Sequence, residues 1–460
     1  MLRRCLSPHS LVARAAVASL CLLILLQPVL VQAGHFGFRG GQVGGVSIDA
    51  EGVLRSAKPE SKNILRQALL VEIKKPAAEL NQPVGMRMVS LKGLEAAIQS
   101  AQRDNLGQLP DEVRFLAGLQ RIQYVLVFPN ENDIVLAGPG EGWKVDNNAN
   151  VVGVTTGLPV LQLDDLLVAL RTVNAARQQG ISCSIDPTPE GRDNLQRFLN
   201  SVKQFSPSIL EPAQKAMGPQ QITLTGVPAD SHFARVLVAA DYHMKRIGMN
   251  LDKSPVNELP GYLDLLAKKG AKPSSATPRW WLACNYEPLL RSEDGLAWEL
   301  RGPGVKAMTE NDVVNNQGQA AGAGRKDVTA QQWADLMTKH YGELSKKNAV
   351  FGELRNIMDM CVVAALIEKE GLATKAGLSI PLMADSKSEL APLTWWNVPK
   401  TVATQCSFIK AGREYIFTAS GGVQVDSWAV ASNSAVKAEV AQAREKAGVP
   451  AGKAWWYQAP

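Results

Sequence analysis

The segment Ala239–Gly248, "AADYHMKRIG", gathers side chains that can exchange protons at the end of one predicted amphipathic helix. They are an acid, a phenol, an imidazole and an amine, the groups that general acid–base catalysis uses: Asp241, Tyr242, His243 and Lys245. Asp241 and Lys245 have the i, i+4 spacing of an ion pair on one helix face. Basic side chains in a last turn also complement the helix dipole, which explains the cluster structurally. We take these four residues as candidate binding residues and leave the structural alternative open.

Two histidines lie on this same predicted helix, and their spacing excludes a shared metal ion. His232 and His243 point the same way but lie about 16 Å apart along the helix axis. His340 lies on the apolar stripe of another predicted helix. The sequence contains no HExxH and no CxxC pattern, so the histidines have no partners at ligand spacing. We expect structural histidines and no metal site.

Nucleophile and phosphate motifs are weak in this sequence. Ser434–Lys437 has the SxxK spacing of a serine–lysine nucleophile, but the companion motifs of that chemistry are missing from the sequence. The glycine-rich segments Gly138–Trp143 and Gly322–Lys326 have neither the strand–GxGxxG–helix order nor the GxxxxGK[ST] spacing of phosphate loops. The sequence therefore predicts no cofactor.

Tryptophan is concentrated in the second half of the chain, where nine of the ten lie after residue 279. In the predicted strand "RWWLACNY", adjacent side chains point to opposite faces, and the more apolar face holds Trp280 and Cys284. We expect Trp280 in the core and Trp281 on the other face, either covered by a helix or exposed to stack on a sugar or a partner. Trp298, on the returning strand, is taken with Trp281 as a candidate binding residue.

Two further tryptophan pairs occur outside regular elements. Trp395–Trp396 lies between Pro392 and Pro399, which predicts an extended loop packed on the body of the protein. Trp455–Trp456 lies in a short tail that otherwise has few apolar residues. Burying two large aromatic side chains is the main reason for such a tail to dock, and we expect that it does.

The first 33 residues have the three parts of a secretory signal peptide. Three arginines form a basic start, Ala15–Val31 is apolar, and small residues at Val31–Ala33 form a cleavage site. The apolar stretch is interrupted by Gln27 and Pro28 and is shorter than the about 20 residues of a membrane span, so an uncleaved anchor is the weaker alternative. We expect a secreted or periplasmic protein that begins near Gly34 and has no membrane span.

Net charge and composition limit the classes of partner that the protein is expected to bind. Removing three arginines leaves 46 of the 49 basic residues against 43 acidic ones, a net charge of +3. This balance lacks the concentrated basic surface of a nucleic-acid-binding protein, so we predict no nucleic-acid partner. Four cysteines follow the signal segment. Cys361 lies in an apolar helix and is expected to be a free thiol, whereas Cys284 and Cys406 lie on strand-like segments and are the best candidates for a disulfide.

Predicted strands and helices are mixed along the chain, and hairpins are frequent. We predict an α+β fold with a mostly antiparallel mixed sheet, packed amphipathic helices and some βα units, at 181–205 and 221–247, that can add parallel strands. "IMDMCVVAALI" is apolar nearly all round and predicts a buried core helix. The predicted organisation is a signal peptide (1–33), a Gly-rich segment with a hairpin and helices (34–115), an α+β core region with an open division into subdomains near 215 (116–430), and a C-terminal helix with a Trp-containing tail (431–460).

Several long segments together resemble an exported family of planctomycete-type bacteria whose function is unknown. The segments are "VSIDAEGVLR", "FLAGLQRIQYVLVFPNENDIVLAGPGEGW", "LQLDDLLVALR", "ISCSIDPTPEG", "TGVPADSHFARVLVAADYHMKRIGM" and "YEPLLRSEDGLAWELRGPGVK". They cover most of the chain from about 44 to 310. The resemblance implies export and a shared fold, and it supplies no catalytic residue.

Two functions of different classes follow from these observations. The first is a non-catalytic exported or envelope-associated protein that recognises a peptide, glycan or protein partner, because strong catalytic motifs are missing and the second half is rich in tryptophan. The alternative is a hydrolase-like enzyme whose residues are scattered in sequence and converge in the fold. A deep pocket with convergent Asp241, His243 and Lys245, or with a Cys–His pair, would favour the enzyme, and a flat face with Trp281 and Trp298 would favour binding.

Overall fold

The computed structural model describes a defined part of the chain: residues 42–104, 109–204, 206–271, 278–314, 320–322, 327–388, 390, 396–411, 413–448 and 454–458. The predicted signal peptide and the Gly-rich segment before residue 42 lie outside the described residues, and so does Trp395.

The strands are numbered in chain order. They are β1 (Gln42–Val43), β2 (Val46–Ile48), β3 (Val53–Ser56), β4 (Val84–Ser90), β5 (Tyr124–Phe128), β6 (Asp133–Gly140), β7 (Trp143–Val145), β8 (Val151–Gly153), β9 (Ile181–Asp186), β10 (Gln220–Thr225), β11 (Pro278–Asn285), β12 (Leu289–Arg291), β13 (Ala297–Glu299), β14 (Gly304–Val314), β15 (Ala320–Gly322), β16 (Thr401–Val402), β17 (Ser407–Ala411), β18 (Arg413–Phe417), β19 (Ser420–Val425), β20 (Ser434–Val436) and β21 (Trp456–Gln458).

The helices range from one turn to six. They are α1 (Pro59–Glu72), α2 (Ala78–Asn81), α3 (Leu91–Arg103), α4 (Asp111–Arg114), α5 (Leu163–Gln179), α6 (Pro189–Ser201), α7 (Leu210–Met217), α8 (His232–Gly248), α9 (Tyr262–Lys269), α10 (Val328–Lys339), α11 (Tyr341–Lys347), α12 (Ala349–Lys369), α13 (Leu372–Ala376), α14 (Pro381–Ala384), α15 (Ser427–Ala431) and α16 (Ala441–Ala447). Short 3₁₀ turns lie at Leu116–Gly118, Pro129–Glu131, Pro207–Ile209 and Ala438–Val440.

A ten-stranded mixed sheet is the larger of the two main sheets, in the order β1-β2-β3-β16-β10-β9-β19-β11-β14-β15. Its parallel pairs are β3–β16 and β11–β19, and its other pairs are antiparallel. β9 shows why these residues form a strand: Ile181, Cys183 and Ile185 are buried, and the serines between them are only half-buried. Such alternation places one face of the sheet against a helix layer.

A seven-stranded sheet has the order β20-β12-β13-β5-β6-β4-β21, and two two-stranded ribbons, β7–β8 and β17–β18, complete the strands. The predicted α+β fold with a mostly antiparallel mixed sheet is confirmed, since β12–β20 is the one parallel pair of this second sheet within the described residues. The predicted docking of the tail is also confirmed, because β21 pairs with β4 at the sheet edge.

The βα unit at 181–205 adds no parallel pair, whereas β10 and β11, on either side of α8, run in the same direction without being neighbours. β9 and β10 pair antiparallel, with Ile222 opposite Ile185. The reason is that helices α6 and α7 between them return the chain to the same end of the sheet from which it left. The two strands lie on either side of residue 215, and the proposed division into subdomains there stays a prediction.

Helix α12 is the centre of the structure. All its residues from Ala349 to Ile367 are buried, as the apolar run predicted, and it packs against α5, α8 and α15. Polar side chains are nevertheless included in it, among them Glu353, Arg355 and Asp359. Of the helices that the structure describes, none combines the length and apolar character that a membrane span requires.

Candidate functional site

A cleft opens where the first turns of α5 and α8 pack against α12. It encloses about 760 Å³ of space that protein atoms do not fill, including its open mouth. One wall is apolar and is formed by Leu65 and Leu69 of α1 and by Ile73, which follows this helix. The polar end of the cleft holds His232 and Glu353. The cleft therefore has an apolar side and a polar end, as small-molecule sites commonly have.

His232 and Asp165 form a buried ion pair at the polar end. Pro228 to Ser231 turn the chain into α8, and the Ser231 hydroxyl accepts a hydrogen bond from the Ala234 amide, so His232 is fixed in the first turn. Its Nδ1 atom lies 3.0 Å from both carboxylate oxygens of Asp165, which lies in the first turn of α5. Burial disfavours charge on the imidazole, but the Asp165 carboxylate outweighs burial and raises the pKa of His232 to about 9.

Glu353 brings a second titratable group to the same end of the cleft. It lies on α12, its exposed fraction is 6%, and within the described residues its Oε2 atom has no hydrogen-bond partner. Burial raises the pKa of Glu353 to about 7, although the nearby charge of His232 acts in the opposite direction. A carboxyl group with this pKa can either donate or accept a proton near neutral pH.

Trp396 forms an aromatic side of the cleft. Its backbone amide donates a hydrogen bond to the Asp230 carbonyl at 3.1 Å, which attaches its loop to the turn before α8. The centroid of the Trp396 ring lies 5.6 Å from that of His232. The guanidinium of Arg235, a residue of α8, lies 5.3 Å from the same Trp396 centroid. The predicted packed loop is confirmed for Trp396, which is half-buried against the core.

Arg114 lines the cleft near its apolar wall and already has carboxylate partners. Its Nη1 atom lies 2.8 Å from Asp111 and 3.2 Å from Glu72. Its neighbour Phe115 is buried and adds to the lining. The arginine thus joins the end of α1 to α4, and its charge is balanced by the two acids.

The predicted Asp241–Lys245 ion pair is formed, and it is part of the core. Lys245 Nζ lies 2.9 Å from Asp241 Oδ2 and also donates to the carbonyl oxygens of Ile185 and Gly421. These contacts fix α8 to β9 and β19. Burial raises the pKa of Asp241 to about 7, against the lowering effect of Lys245. Both side chains are buried, which agrees with the structural alternative that was left open.

Tyr242 and His243 are not among the described residues that line the cleft. The Tyr242 hydroxyl lies 2.9 Å from the Ser56 hydroxyl and accepts a hydrogen bond from Gln405. His243 Nε2 lies 2.6 Å from the Gly44 carbonyl. Tyr242 and Lys245 line a second, smaller cavity of about 280 Å³, whose lining does not include Asp241 or His243. The four predicted residues therefore do not converge on one site, and a binding role for them stays a prediction.

Trp281 and Trp298 do not form the shared flat face that would favour binding, and a binding role for either residue stays a prediction. Trp281 is half-buried on β11, on the opposite face from the fully buried Trp280, as strand alternation predicted. Trp298 lies on β13 of the other main sheet, is fully buried, and donates from Nε1 to the Gly295 carbonyl at 3.0 Å. The two rings belong to different sheets, so strand alternation along β11 gives no information on Trp298.

The four described cysteines are free, so the expected Cys284–Cys406 disulfide is wrong and the free buried thiol at Cys361 is confirmed. Cys406 belongs to a small cluster with Leu195 and Ile416, whereas Cys284 packs against the main core. The two strand-like segments lie in different packing layers. Among the described residues, no group of three or more His, Cys, Asp or Glu side chains is arranged to hold a metal ion.

Comparison with known families identifies one domain. Residues 183–262 match a family described as "Protein of unknown function (DUF1598)". A domain of this family of unknown function thus extends from β9 to the start of α9. No curated protein and no solved structure matches the chain. The matched span includes His232 and the Asp241–Lys245 pair, whereas Asp165 and Glu353 lie outside it.

Sequence reasoning assigned His232 a structural role and did not find Asp165 or Glu353 at all. The ion pair of His232 with Asp165 agrees with the structural assignment, but the same imidazole also lines the cleft. No local spacing connects these residues, because they come from three separate helices. The usable signal was Glu353 itself, a charged residue in the turn before the apolar run of the same helix.

Proposed function

We propose that the protein is a binding protein that takes a small amphipathic ligand, or one side chain of a peptide partner, into the cleft between α1 and α8. One observation carries this proposal: an apolar wall ends at a buried carboxyl oxygen, on Glu353, that has no hydrogen-bond partner among the described residues. A buried acceptor without a partner costs free energy, so a ligand that donates to it gains affinity.

The wall supports the same proposal. Leu69 and Ile73 are only half-buried while they line the cleft, and Leu65 beside them is buried. A ligand that covers these side chains removes further apolar surface from water, which favours binding by about 25 cal/mol per Å². The ring of Trp396 offers a flat apolar surface on another side of the cleft. Affinity then comes from the wall, and orientation comes from the polar end.

We propose further that this binding takes place outside the cytoplasm. The proposal is supported by the signal-peptide pattern of residues 1–33 and by the resemblance to an exported family of planctomycete-type bacteria. N-terminal sequencing of the protein from its cell envelope or medium tests it, and a first residue near Gly34 is expected. Retention of residues 1–20 in the exported material would contradict cleavage.

A ligand screen with two matched variants tests the cleft. Leu69 lines it, whereas Leu70, the next residue of α1, is 44% exposed and is not part of its lining. We expect amphipathic fragments that raise the melting temperature of the wild type to lose this effect in Leu69→Trp and to keep it in Leu70→Trp. The proposal is contradicted if every stabilising fragment acts equally on both variants.

A second function, acid–base catalysis, is supported by one observation: the charged His232–Asp165 pair and Glu353, with its pKa near 7, line the same end of the cleft. Incubation with any ligand from the screen, followed by mass spectrometry, separates the two functions. Unchanged ligand supports binding alone. Conversion that is lost in Glu353→Gln supports the enzyme.

A further inference from the structure

We propose that the ligand of this cleft is an alkylammonium group, with its cationic nitrogen donating to Glu353 and its aliphatic chain lying on the α1 wall. This inference rests on the proposed function and names the chemistry of its ligand. A lysine-like side chain or a free primary amine with a chain of several methylenes has this form. The occupant is thus distinguished from a fatty acid, an alcohol or a quaternary ammonium compound.

The charges at the cleft favour a cation. The cationic groups nearby already have carboxylate partners, since His232 pairs with Asp165 and Arg114 pairs with Asp111 and Glu72. An anionic ligand would compete with those carboxylates for the same donors. Glu353, in contrast, has one oxygen without a partner among the described residues, and a cation there forms a charge-assisted hydrogen bond.

The acceptor determines which kind of cation is suitable. Oε2 of Glu353 needs a donor, and a primary ammonium provides three N–H groups whereas a quaternary ammonium provides none. Asp164, also in the lining, adds a second carboxylate. The apolar residues of the wall, Leu65, Leu69 and Ile73, then accept the methylenes, as the stem of a lysine side chain lies along apolar surface.

Four six-carbon probes that differ only in the head group provide the test: hexylamine, hexanol, hexanoate and hexyltrimethylammonium. Isothermal titration at pH 8 with the full mature chain should give the highest affinity for hexylamine. Glu353→Gln keeps the shape of the side chain. It should lower the affinity for hexylamine by about tenfold or more, because a charged hydrogen bond is lost. It should leave hexanol within about twofold, and Leu70→Trp should change neither.

Dependence on pH gives a second readout that a general loss of folding would not produce. The groups that act on Glu353 are His232 on α8, Asp165 on α5 and Asp146 in the turn after β7. Because the pKa of Glu353 is about 7 and that of His232 is about 9, Glu353 is the one of these two cleft groups that gains charge between pH 5 and 8. Hexylamine should therefore bind more tightly at pH 8 than at pH 5 in the wild type and equally in Glu353→Gln.

The outcomes separate this inference from the proposed function. If hexanol or hexanoate binds more tightly than hexylamine, and Leu69→Trp removes that binding, the ammonium assignment is overturned. The cleft then still binds a ligand. Binding of hexylamine that Glu353→Gln does not change also overturns the ammonium assignment. Failure of the broader fragment screen to distinguish Leu69→Trp from Leu70→Trp contradicts the cleft itself.

Discussion

The Nδ1 atom of His232 lies 3.0 Å from each carboxylate oxygen of Asp165, and this ion pair joins the first turns of two helices. An acid in the first turn of α5 also interacts favourably with the helix dipole, whereas a cation at the start of α8 does not. The charge on His232 thus depends on Asp165. The pair fixes the relative position of α5 and α8 at the polar end of the cleft.

Replacing His232 by Gln should change how stability depends on pH. The folded-state pKa of His232 is raised from 6.5 to about 9, so the native state holds this proton more tightly than the unfolded state. The contribution is complete below pH 6.5, and it is lost as the pH rises through about 9. We expect the free energy of unfolding of the wild type to fall between pH 6.5 and about 9, with a contribution on the order of 3 kcal/mol from His232. The free energy of unfolding of His232→Gln should fall less over the same interval.

Urea melts at pH 7.5 and 9.5 measure this difference above the pKa of Glu353 and Asp241. His340→Gln, at a histidine outside the cleft lining, is the control. Its free energy of unfolding should change between the two pH values by the same amount as that of the wild type. Equal changes for the wild type and His232→Gln would mean that Asp165 does not hold the proton on the imidazole.

The two adjacent tryptophans should differ in their effect on stability. Trp280 is fully buried, with ring centroids 4.5 Å from Trp333 and 5.3 Å from Tyr262, whereas Trp281 is half-buried on the other face. Trp280→Ala should lower the free energy of unfolding by about 3–5 kcal/mol, as is usual for a large buried aromatic residue. Trp281→Ala should cost clearly less. Denaturant melts of both variants provide the comparison, and equal large losses would show that both faces of β11 are core.

The parts of the fold that the sequence predicted correctly depend on short-range periodicity. Alternation along β11 placed Trp280 in the core, and the apolar run of α12 indicated a buried helix. The orientation of β10 beside β9 was missed, because it depends on where α6 and α7 return the chain. Successive side chains point to opposite faces in every strand, so the alternation alone does not fix the direction of β10.

The candidate site was missed for a related reason. Its polar end needs Asp165, His232 and Glu353 from three helices, and their meeting depends on how α5 and α8 pack on α12. The cluster at Asp241 and Lys245 looked more promising in sequence, because its groups are close along one helix. Packing turned that local cluster toward β9 and β19, where its charges are used to hold the helix in place.

The four described cysteines should all be thiols. The structure has Cys183, Cys361 and Cys406 buried and Cys284 half-buried, each without a disulfide. Burial raises the pKa of Cys284 and of Cys406 to about 12, so neither is a reactive thiolate at neutral pH. We expect slow alkylation in the native state and four alkylated cysteines after denaturation without reductant, measured by mass spectrometry on a chain that begins at Gly34. Two alkylated cysteines would reveal a disulfide.

Gly421 should be among the least replaceable residues of the ten-stranded sheet. It lies on β19 with φ +114°, and a Cβ atom there would lie 1.7 Å from the Trp280 carbonyl oxygen. Its own carbonyl accepts a hydrogen bond from Lys245, so the backbone cannot move without weakening the buried Asp241–Lys245 pair. Gly421→Ala should lower the free energy of unfolding by about 2–5 kcal/mol, the sum of a left-handed backbone and overpacking.

Gly180 separates these two causes. It follows α5 with φ +72°, and a Cβ atom there would meet nothing within 4 Å. Gly180→Ala therefore tests a positive-φ backbone conformation alone and should cost about 1–3 kcal/mol. Urea melts of the two variants at one pH give the difference, which we assign to the contact between β19 and β11. Equal losses would mean that β11 moves aside at no cost, and the close approach of Gly421 to Trp280 would then not constrain the sheet.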